Sequence, residues 1–285
     1  MIVNRKVVIV TGAASGIGLA LVKACIQEGM CVVMADIAKT TLHEQAELLR
    51  ASSQTEILEV VCDVAKLEDV VQLAKQTYEH FEHVDILINN AGISGQLAPF
   101  WELTEQHIRH VMDVNLYGVV HGLHVFLPLM FKQKQRSSIV NMASFYGLCS
   151  GSQMSAYAMA KHAIVALSES LYFDLKRLNK PIDLSVVCPS FANTQLLANS
   201  APASFDKLHT MVGNLMERSR PAEDVAACIL REVKNKTFYI LPDKEVKDYC
   251  EQRTKAIINQ SAPHEHSIEK IIAALSRRAQ GSDTP

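Results

Sequence analysis

The sequence has no surplus of basic residues, since 28 lysines and arginines are offset by 30 aspartates and glutamates, giving a formal net charge of −2 at pH 7. Without such a surplus, the electrostatic case for binding nucleic acid or an anionic membrane is missing. No apolar run approaches the roughly 20 residues that span a bilayer. The amino terminus lacks the apolar stretch and small-residue cleavage site of a signal peptide. We therefore expect a soluble, cytoplasmic protein.

The seven cysteines include no CxxC pair, and most lie inside apolar runs such as GMCVVMAD and LSVVCPS. We interpret them as reduced core thiols of an intracellular protein. Histidines with metal-like spacing occur in HGLH (His121 and His124) and in PHEH (263–266), but neither motif has a third ligand at a recognisable zinc spacing. We predict no metal site and interpret these histidines as surface or interface residues.

Linkers, internal repeats and low-complexity segments are also missing, apart from the short tail QGSDTP. Seven apolar, β-rich runs instead alternate with helix-like segments, and their continuous hydrophobicity is typical of strands buried on both faces. This alternation predicts an α/β fold, a doubly wound and mostly parallel seven-stranded sheet, with one domain over 1–243 and a C-terminal helical extension over 244–285. The runs are KVVIVT (6–11), CVVMAD (31–36), ILEVVC (57–62), VDILIN (84–89), SSIVNMA (137–143), IDLSVVC (182–188) and TFYIL (237–241).

The first predicted strand ends in the glycine-rich stretch TGAASGIGLA, with Gly12, Gly16 and Gly18. A strand, a glycine-rich turn and a helix start together form an anion site, because backbone N–H groups and the helix dipole point at the same spot. The alternative is an ordinary strand-to-helix turn. The position of the motif within a βαβ unit favours binding of a dinucleotide pyrophosphate.

Asp36 ends the second strand, eighteen residues after Gly18. A carboxylate there can accept hydrogen bonds from the adenosine ribose hydroxyls and repels a 2′-phosphate, which favours NAD over NADP. The alternative is an Asp that caps the next helix. Two absences favour NAD: the loop between Gly12 and Gly16 has no Arg or Lys, and residue 37 is Ile37 and not Arg. Lys39 is the nearby cation that favours NADP.

The stretch SAYAMAKHA places Tyr157 and Lys161 four residues apart, on one face of a predicted helix. Such a pair taken alone is best interpreted as a surface contact. The motifs around it change that interpretation: TGAASGIG, CDV (62–64), NNAG (89–92), VMDVNLYG around Asn115, and NMASFYG with Ser144. Over residues 5–243 the sequence resembles the short-chain dehydrogenases/reductases, in the branch with TGxxxGxG.

The resemblance implies a Rossmann fold with strand order 3-2-1-4-5-6-7 and an active site at the carboxyl ends of the strands. It implies that Tyr157 is the general acid/base, that Ser144 binds the substrate oxygen, and that Asn115 holds a water that links Lys161 to solvent. Lys161 and the oxidised nicotinamide are expected to lower the pKa of Tyr157. The implied cofactor contacts are Gly12, Ser15, Gly16, Ile17, Gly18, Asp36, Asp63, Val64, Asn90, Ala91, Gly92, Tyr157, Lys161, Pro189 and Thr194.

One position departs from the family pattern: after the sixth strand the family usually has Pro-Gly, whereas here Ser190 follows Pro189. Thr194 keeps its place for the carboxamide. Ser190 adopts positive φ less easily than glycine, which bears on how the backbone there places the nicotinamide.

In this family the segment after the sixth strand covers the active site, so we expect a lid at about 191–219, with a mobile stretch at 198–206. Its charged side chains, Lys207, His209, Glu217 and Arg218, are expected to point outward. We predict a hydrophobic secondary alcohol or ketone rather than a sugar or a dicarboxylate. The apolar residues that could face inward are Leu196, Leu197, Met211, Val212, Leu215 and Met216 on the lid, together with Phe145, Tyr146, Leu148 and Met154. Of these, Met211, Leu215 and Met216 are most simply interpreted as helix core, with pocket lining as the alternative.

Two alternatives remain at this level. A 3-oxoacyl carrier-protein reductase would prefer NADPH and a basic docking patch, against which Asp36 and the mild acidity argue. A dinucleotide-sensing regulator would keep the glycine loop and lose Tyr157 or Lys161, and both are present. The family commonly assembles through the helices that hold Asn115 and Tyr157, so we expect a homodimer or homotetramer.

Overall fold

A computed structural model describes residues 5–194, 196–197 and 207–279 of the chain. Its centre is a parallel sheet of seven strands in the order β3-β2-β1-β4-β5-β6-β9, and two further two-residue strands, β7 and β8, pair with each other beside it. All seven predicted strands are confirmed, and so is their order. The strands are β1 (Val7–Thr11), β2 (Cys31–Asp36), β3 (Ile57–Val61), β4 (Ile86–Asn89), β5 (Ser137–Met142), β6 (Ile182–Val187), β7 (Ala192–Asn193), β8 (Arg220–Pro221) and β9 (Tyr239–Ile240).

Helices cover both faces of this sheet. Successive side chains of a strand point to opposite faces, so Val8 and Val10 of β1 enter one apolar layer while Val7 and Ile9 enter the other. This burial on both faces explains why the strands are continuous apolar runs. The helices of the described residues are α1 (Gly16–Gln27), α2 (Lys39–Ser52), α3 (Leu67–Phe81), α4 (Glu105–Met112), α5 (Gly118–Met130), α6 (Ser155–Arg177), α7 (Lys207–Glu217), α8 (Ala222–Lys234), α9 (Lys244–Ile258) and α10 (Ser267–Ala279).

The helix before the fifth strand is not regular throughout. A π-helical segment, Asp113–Tyr117, joins α4 to α5 and carries Asn115, which is fully buried. Such wide turns add one residue to a helix and are frequent at functional sites. Here the turn directs the Asn115 side chain toward the segment that follows β4.

The order of the strands reverses between β1 and β4, so the chain leaves these two neighbours toward opposite sides of the sheet. This opens a crevice at the carboxyl ends of the strands, where open α/β sheets bind ligands. The loops after β1, β4, β5 and β6 all end there.

The C-terminal helices α9 and α10 form one wall beside this crevice. With α7 they enclose a third apolar cluster, which includes Leu97, Met154, Val212, Tyr249 and Ile272. No helix in the described part of the chain is long and apolar enough to cross a membrane. Within the same residues, no group of three His, Cys, Asp or Glu side chains is placed to hold a metal ion.

Candidate active site

The glycine loop after β1 is a cradle with no room for side chains. Gly12 has φ +65°, a left-handed conformation that glycine adopts without strain. A Cβ on Gly18 would lie 1.9 Å from the Gly12 carbonyl oxygen, so the first turn of α1 can pack against the loop only because residue 18 is glycine. The loop backbone therefore reaches the start of α1, where N–H groups are free to bind an anion.

The segment after β4 fixes this loop in place. Asn90 donates from Nδ2 to the carbonyl oxygen of Thr11 at 2.8 Å. The Thr11 hydroxyl in turn accepts the backbone N–H groups of Asn90 at 2.9 Å and Ala91 at 3.1 Å. The NNAG motif thus buttresses the glycine loop, in addition to lining the groove beside it.

Asp36 stands at the end of β2, with both carboxylate oxygens engaged. Oδ2 accepts the N–H of Ala14 at 2.9 Å and Oδ1 accepts the N–H of Ala38 at 2.9 Å. The side chain is half-buried and lines the groove next to Ile37 and the glycine loop. Carboxylate oxygens have further lone pairs, so the same group can still accept hydrogen bonds from a ribose.

The CDV motif continues the groove beyond Asp36. Asp63 accepts the N–H of Ala65 through Oδ1 at 3.1 Å, and its own N–H donates to Asp69 at 3.0 Å. These bonds shape the turn after β3 so that Asp63 and Val64 line the groove. A glycine cradle at one end and a carboxylate beyond it fit a dinucleotide, with pyrophosphate on the cradle and adenosine at Asp36 and Val64.

Tyr157 and Lys161 lie in the first turns of α6 and are both buried, at 7% and 3% exposure. The Lys161 ammonium is 5.5 Å from the centre of the Tyr157 ring and donates to the carbonyl oxygen of Met142 at 2.9 Å. Both side chains line the same cavity as the glycine loop. The pair is therefore an internal arrangement, and the surface interpretation is wrong.

Burial shifts the pKa values of both groups away from their charged forms. Desolvation raises the pKa of Tyr157 to about 12, although the Ser144 hydroxyl acts in the opposite direction by favouring the phenolate. Desolvation also lowers the pKa of Lys161 to about 8. The expectation that Lys161 lowers the pKa of Tyr157 is not met in the protein alone, because the cost of burying a phenolate outweighs its neighbours.

Ser144 follows β5 and begins the short 3-10 turn Phe145–Gly147. Its hydroxyl oxygen accepts the N–H of Tyr146 at 3.2 Å, which holds the side chain toward the cavity rim that Tyr157 also lines. The parallel pairing of β5 with β6 continues past the strands, since Phe145 donates its N–H to the carbonyl oxygen of Pro189 at 2.9 Å. The chain thereby brings Ser144 and Pro189 to the same edge.

Asn115 is the one predicted site residue that does not line the cavity. Its Nδ2 donates to the carbonyl oxygens of Ile93 and Val111, both at 2.9 Å, and its Oδ1 accepts the N–H of Ile93 at 3.2 Å. It approaches Lys161 across Gly92, where a Cβ would lie 2.7 Å from Asn115 Oδ1 and 3.5 Å from Lys161 Nζ. Asn115 therefore holds the segment around Gly92 and Ile93, against which Lys161 also packs.

The segment after β6 accommodates Ser190 without strain. Ser190 has a negative φ, so the positive φ that would favour glycine is not used here. Its N–H donates to Asp243 Oδ2 at 2.8 Å, and Arg220 bridges Asp243 Oδ1 at 3.3 Å and the carbonyl oxygen of Pro242 at 2.7 Å. The Asp243–Arg220 pair thus holds the backbone that leads to Thr194, which faces the glycine loop.

One cavity of about 660 Å³ joins these parts. The predicted cofactor residues and the three polar groups Ser144, Tyr157 and Lys161 all line it. Beyond Tyr157 its walls are mostly apolar, and the exception is the Tyr146 hydroxyl, which is buried and has no hydrogen-bond partner among the described residues. They consist of Leu97, Phe145, Tyr146, Met154, Phe191, Leu196, Leu197, Val212, Met216 and Ile272.

Several expectations for the lid need correction. Met211, Leu215 and Leu148 do not line the cavity, and His209 is buried at 3% exposure instead of pointing outward. Its Nε2 lies 2.9 Å from the carbonyl oxygen of Leu197, which explains the inward position. The expected mobile stretch 198–206 lies outside the described residues.

Sequence reasoning missed two groups of cavity residues. On the cofactor side Thr41 and Val114 line the groove, and on the substrate side Leu97 and Ile272 do so. The apolar or small character of these residues is no signal in itself, because core and pocket residues have the same composition. Only the folded chain brings Ile272 of α10 to a site whose other residues lie more than fifty positions earlier.

Comparisons with known proteins agree with this geometry. The model of a family described as short chain dehydrogenase matches residues 6–204. The CLA biosynthesis dehydrogenase/reductase of Lactiplantibacillus plantarum is 30% identical over 284 residues, covering 94% of this chain and 98% of that protein. The 15-hydroxyprostaglandin dehydrogenase of Homo sapiens, whose name specifies NAD(+), is 34% identical over 206 residues, covering 69% of this chain and 72% of that protein.

A solved structure gives the same result in three dimensions. A short chain dehydrogenase/reductase from Burkholderia phymatum in complex with NAD matches with a TM-score of 0.87 and 30% identity. The match covers 92% of this chain and 97% of that chain.

Proposed function

The chain belongs to the short-chain dehydrogenase family of oxidoreductases, and from this we propose that it is an NAD-dependent dehydrogenase that interconverts a hydrophobic secondary alcohol and the corresponding ketone. The observation that carries the proposal is the single cavity in which a dinucleotide groove meets Ser144, Tyr157 and Lys161 and then continues between apolar walls.

NAD is the cofactor in this proposal. Asp36 lines the groove where the adenosine ribose would bind, and its negative charge repels a 2′-phosphate. The cradle around Gly12 and Gly18 fits a pyrophosphate. The human relative carries NAD(+) in its name and the Burkholderia phymatum structure holds NAD, which supports the same assignment. When bound, NAD would supply the hydride acceptor and the positive charge of its oxidised nicotinamide.

The chain's own residues perform the proton chemistry. The phenolate form of Tyr157 takes the hydroxyl proton of an alcohol during oxidation, and the phenol form returns a proton to the oxygen during reduction. The Ser144 hydroxyl binds that oxygen and also stabilises the phenolate of Tyr157. Lys161, fixed by Met142, contributes positive charge one helical turn away. Asn115 holds the neighbouring backbone, and we retain for it the role of positioning a water that links Lys161 to solvent.

The apolar walls determine the substrate class. Beyond Lys161 the described lining holds no lysine or arginine, and its other basic side chain, His110, is solvent-exposed, so the lining offers no further buried cation to pair with the carboxylates of a hydroxy acid. Polyols would leave hydroxyl groups without hydrogen-bond partners against Leu97, Met154 and Val212, which is costly in a buried site. A hydrocarbon chain on the carbinol instead gains roughly 25 cal/mol for each Å² it removes from water.

The quaternary structure and location follow the same proposal. Exposed apolar residues on α6, namely Met159, Tyr172 and Phe173, support a homodimer or homotetramer formed through the α5 and α6 helices. Size-exclusion chromatography with light scattering tests this, and a monomer at micromolar concentration would contradict it.

The seven cysteines form no disulfide, which supports a reducing, cytoplasmic location.

The test of the function is a substrate panel with NAD or NADH, followed by nicotinamide absorbance. We expect kcat/KM to rise along a series of secondary alcohols of increasing alkyl length, and to stay far lower for polyols and hydroxy acids. A clear preference for the polar substrates would refute the substrate class. Absence of turnover across the panel, with intact NAD binding, would refute the dehydrogenase assignment for these substrates.

A further inference from the structure

Among the described residues, helix α10 reaches the cavity through the Ile272 side chain. Ile272 is 1% exposed and lines the cavity, whereas its neighbour Ile271 is 40% exposed on the outer face of the same helix. The helix lies beyond the residues matched by the family model, which end at position 204. A residue outside the cofactor-binding part of the chain therefore forms part of the substrate wall.

The start of α10 is fixed to the loop that separates the catalytic residues. His266 caps the helix, since its Nδ1 accepts the N–H of Glu269 at 3.1 Å while its Nε2 donates to the carbonyl oxygen of Ser150 at 3.1 Å. Glu269 then accepts the N–H of Ser152 at 2.8 Å. Ser150 and Ser152 belong to the connection between Ser144 and Tyr157, so α10 and the catalytic residues are held in one frame.

The other side of α10 rests on the lid helix α7. Ile272 packs in the same apolar cluster as Val212 and Met216, both of which line the cavity from α7. Lys207, at the start of α7, donates to the carbonyl oxygen of Arg278 near the end of α10 at 3.2 Å. Because α10 is held on two sides, the fold fixes the position of Ile272 in the cavity wall.

We propose that Ile272 is a specificity-determining residue that limits the length of the hydrocarbon chain the pocket accepts. The proposal rests on the proposed function, because it concerns the apolar substrate of the same site. A rigid wall residue ends the pocket where its side chain stands. Each further methylene that finds apolar space should gain about fourfold in kcat/KM, and one that meets the Ile272 side chain should gain nothing.

The experiment measures kcat/KM with NAD for a homologous series of secondary alkanols with the hydroxyl on the second carbon. Ile272→Ala removes the outer carbons of the side chain, so we expect the optimum to move to longer alkanols and the longest members to improve by more than about tenfold. Ile272→Phe fills the same space and should move the optimum to shorter alkanols. Ile271→Ala, one position away and exposed, is the matched control and should leave the profile unchanged.

Folding is checked by thermal unfolding and by NADH binding, and Ile272→Val is the milder variant that should show a smaller shift in the same direction. Identical length profiles in wild type, Ile272→Ala and Ile272→Phe would overturn the proposal while leaving the function intact. If the wild type oxidises no alkanol, the function fails separately. The length limit is then read by calorimetry from the binding of alkyl amides, which needs no turnover, and equal profiles there would overturn it as well.

Discussion

Replacing Asp36 with alanine is expected to remove the discrimination against NADP. Its carboxylate is half-buried and lines the groove where the ribose would lie. A 2′-phosphate carries about 1.5 to 2 negative charges at neutral pH. At roughly 4 Å, each unit of that charge is repelled by about 1 kcal/mol in water and about 4 kcal/mol near a protein surface. For a half-exposed group we take the lower part of this range, which corresponds to about 10- to 100-fold in kcat/KM for NADP.

The same substitution also weakens NAD binding, because a ribose hydroxyl loses a charged acceptor worth about 1.5 to 3 kcal/mol. Ala14 and Ala38 lose the oxygens that accept their N–H groups at 2.9 Å. That loss disturbs the loop equally for both cofactors, so it cancels in their ratio. We therefore expect the ratio of kcat/KM for NAD to that for NADP to fall by about 100-fold or more.

The assay is a pair of saturation curves, with NAD and NADP, at fixed alcohol and low salt. Glu44→Ala is the matched control, since it removes an exposed carboxylate from the neighbouring helix α2 that does not line the cavity. Its ratio should equal that of the wild type. A wild type that already prefers NADP, or an Asp36→Ala ratio within about threefold of wild type, would refute the reasoning.

Two further predictions concern protons and position. Burial raises the pKa of Tyr157 to about 12, so the phenol keeps its proton at neutral pH. Because the fraction of phenolate grows with pH, kcat/KM for oxidation should rise from about pH 6 to 8, while kcat/KM for reduction, which uses the phenol, stays level. An oxidation profile that is level over this range would contradict the prediction. Asp243→Asn weakens the bond to the Ser190 N–H and the ion pair with Arg220. The backbone that leads to Thr194 is then held less firmly, so KM for NAD should rise several-fold with little change in kcat. The control Asp248→Asn, at an exposed carboxylate, should change neither value.

The sheet could be predicted because its signal is local. Each strand is an apolar run bounded by turns, and its short length and β-branched residues distinguish it from a buried helix. The glycine loop, Asp36 and the Tyr157–Lys161 pair could be predicted for a similar reason, because their spacing along the chain fixes their place on one strand end or helix face.

The rest depends on contacts between distant parts of the chain. His209 carries a polar side chain on a lid helix, and a polar side chain is expected to point outward. It is buried here because its ring nitrogen pairs with the carbonyl oxygen of Leu197. The pKa of Tyr157 depends on how much solvent the folded chain excludes, which spacing alone does not reveal. Ile272 enters the cavity because His266 and Glu269 anchor α10 to the loop after β5 and because α7 supports the other side of the helix.

The most direct test of the central claim is Tyr157→Phe, which removes one hydroxyl from a buried ring and leaves the cofactor groove unchanged. NADH binding, followed by fluorescence, should stay within about threefold of wild type, while kcat for the best alcohol should fall by about 100-fold to 10,000-fold with the loss of the general base. A Phe variant that binds NADH and turns over alcohol at the wild-type rate would contradict the account, because Tyr157 would then take no part in the chemistry.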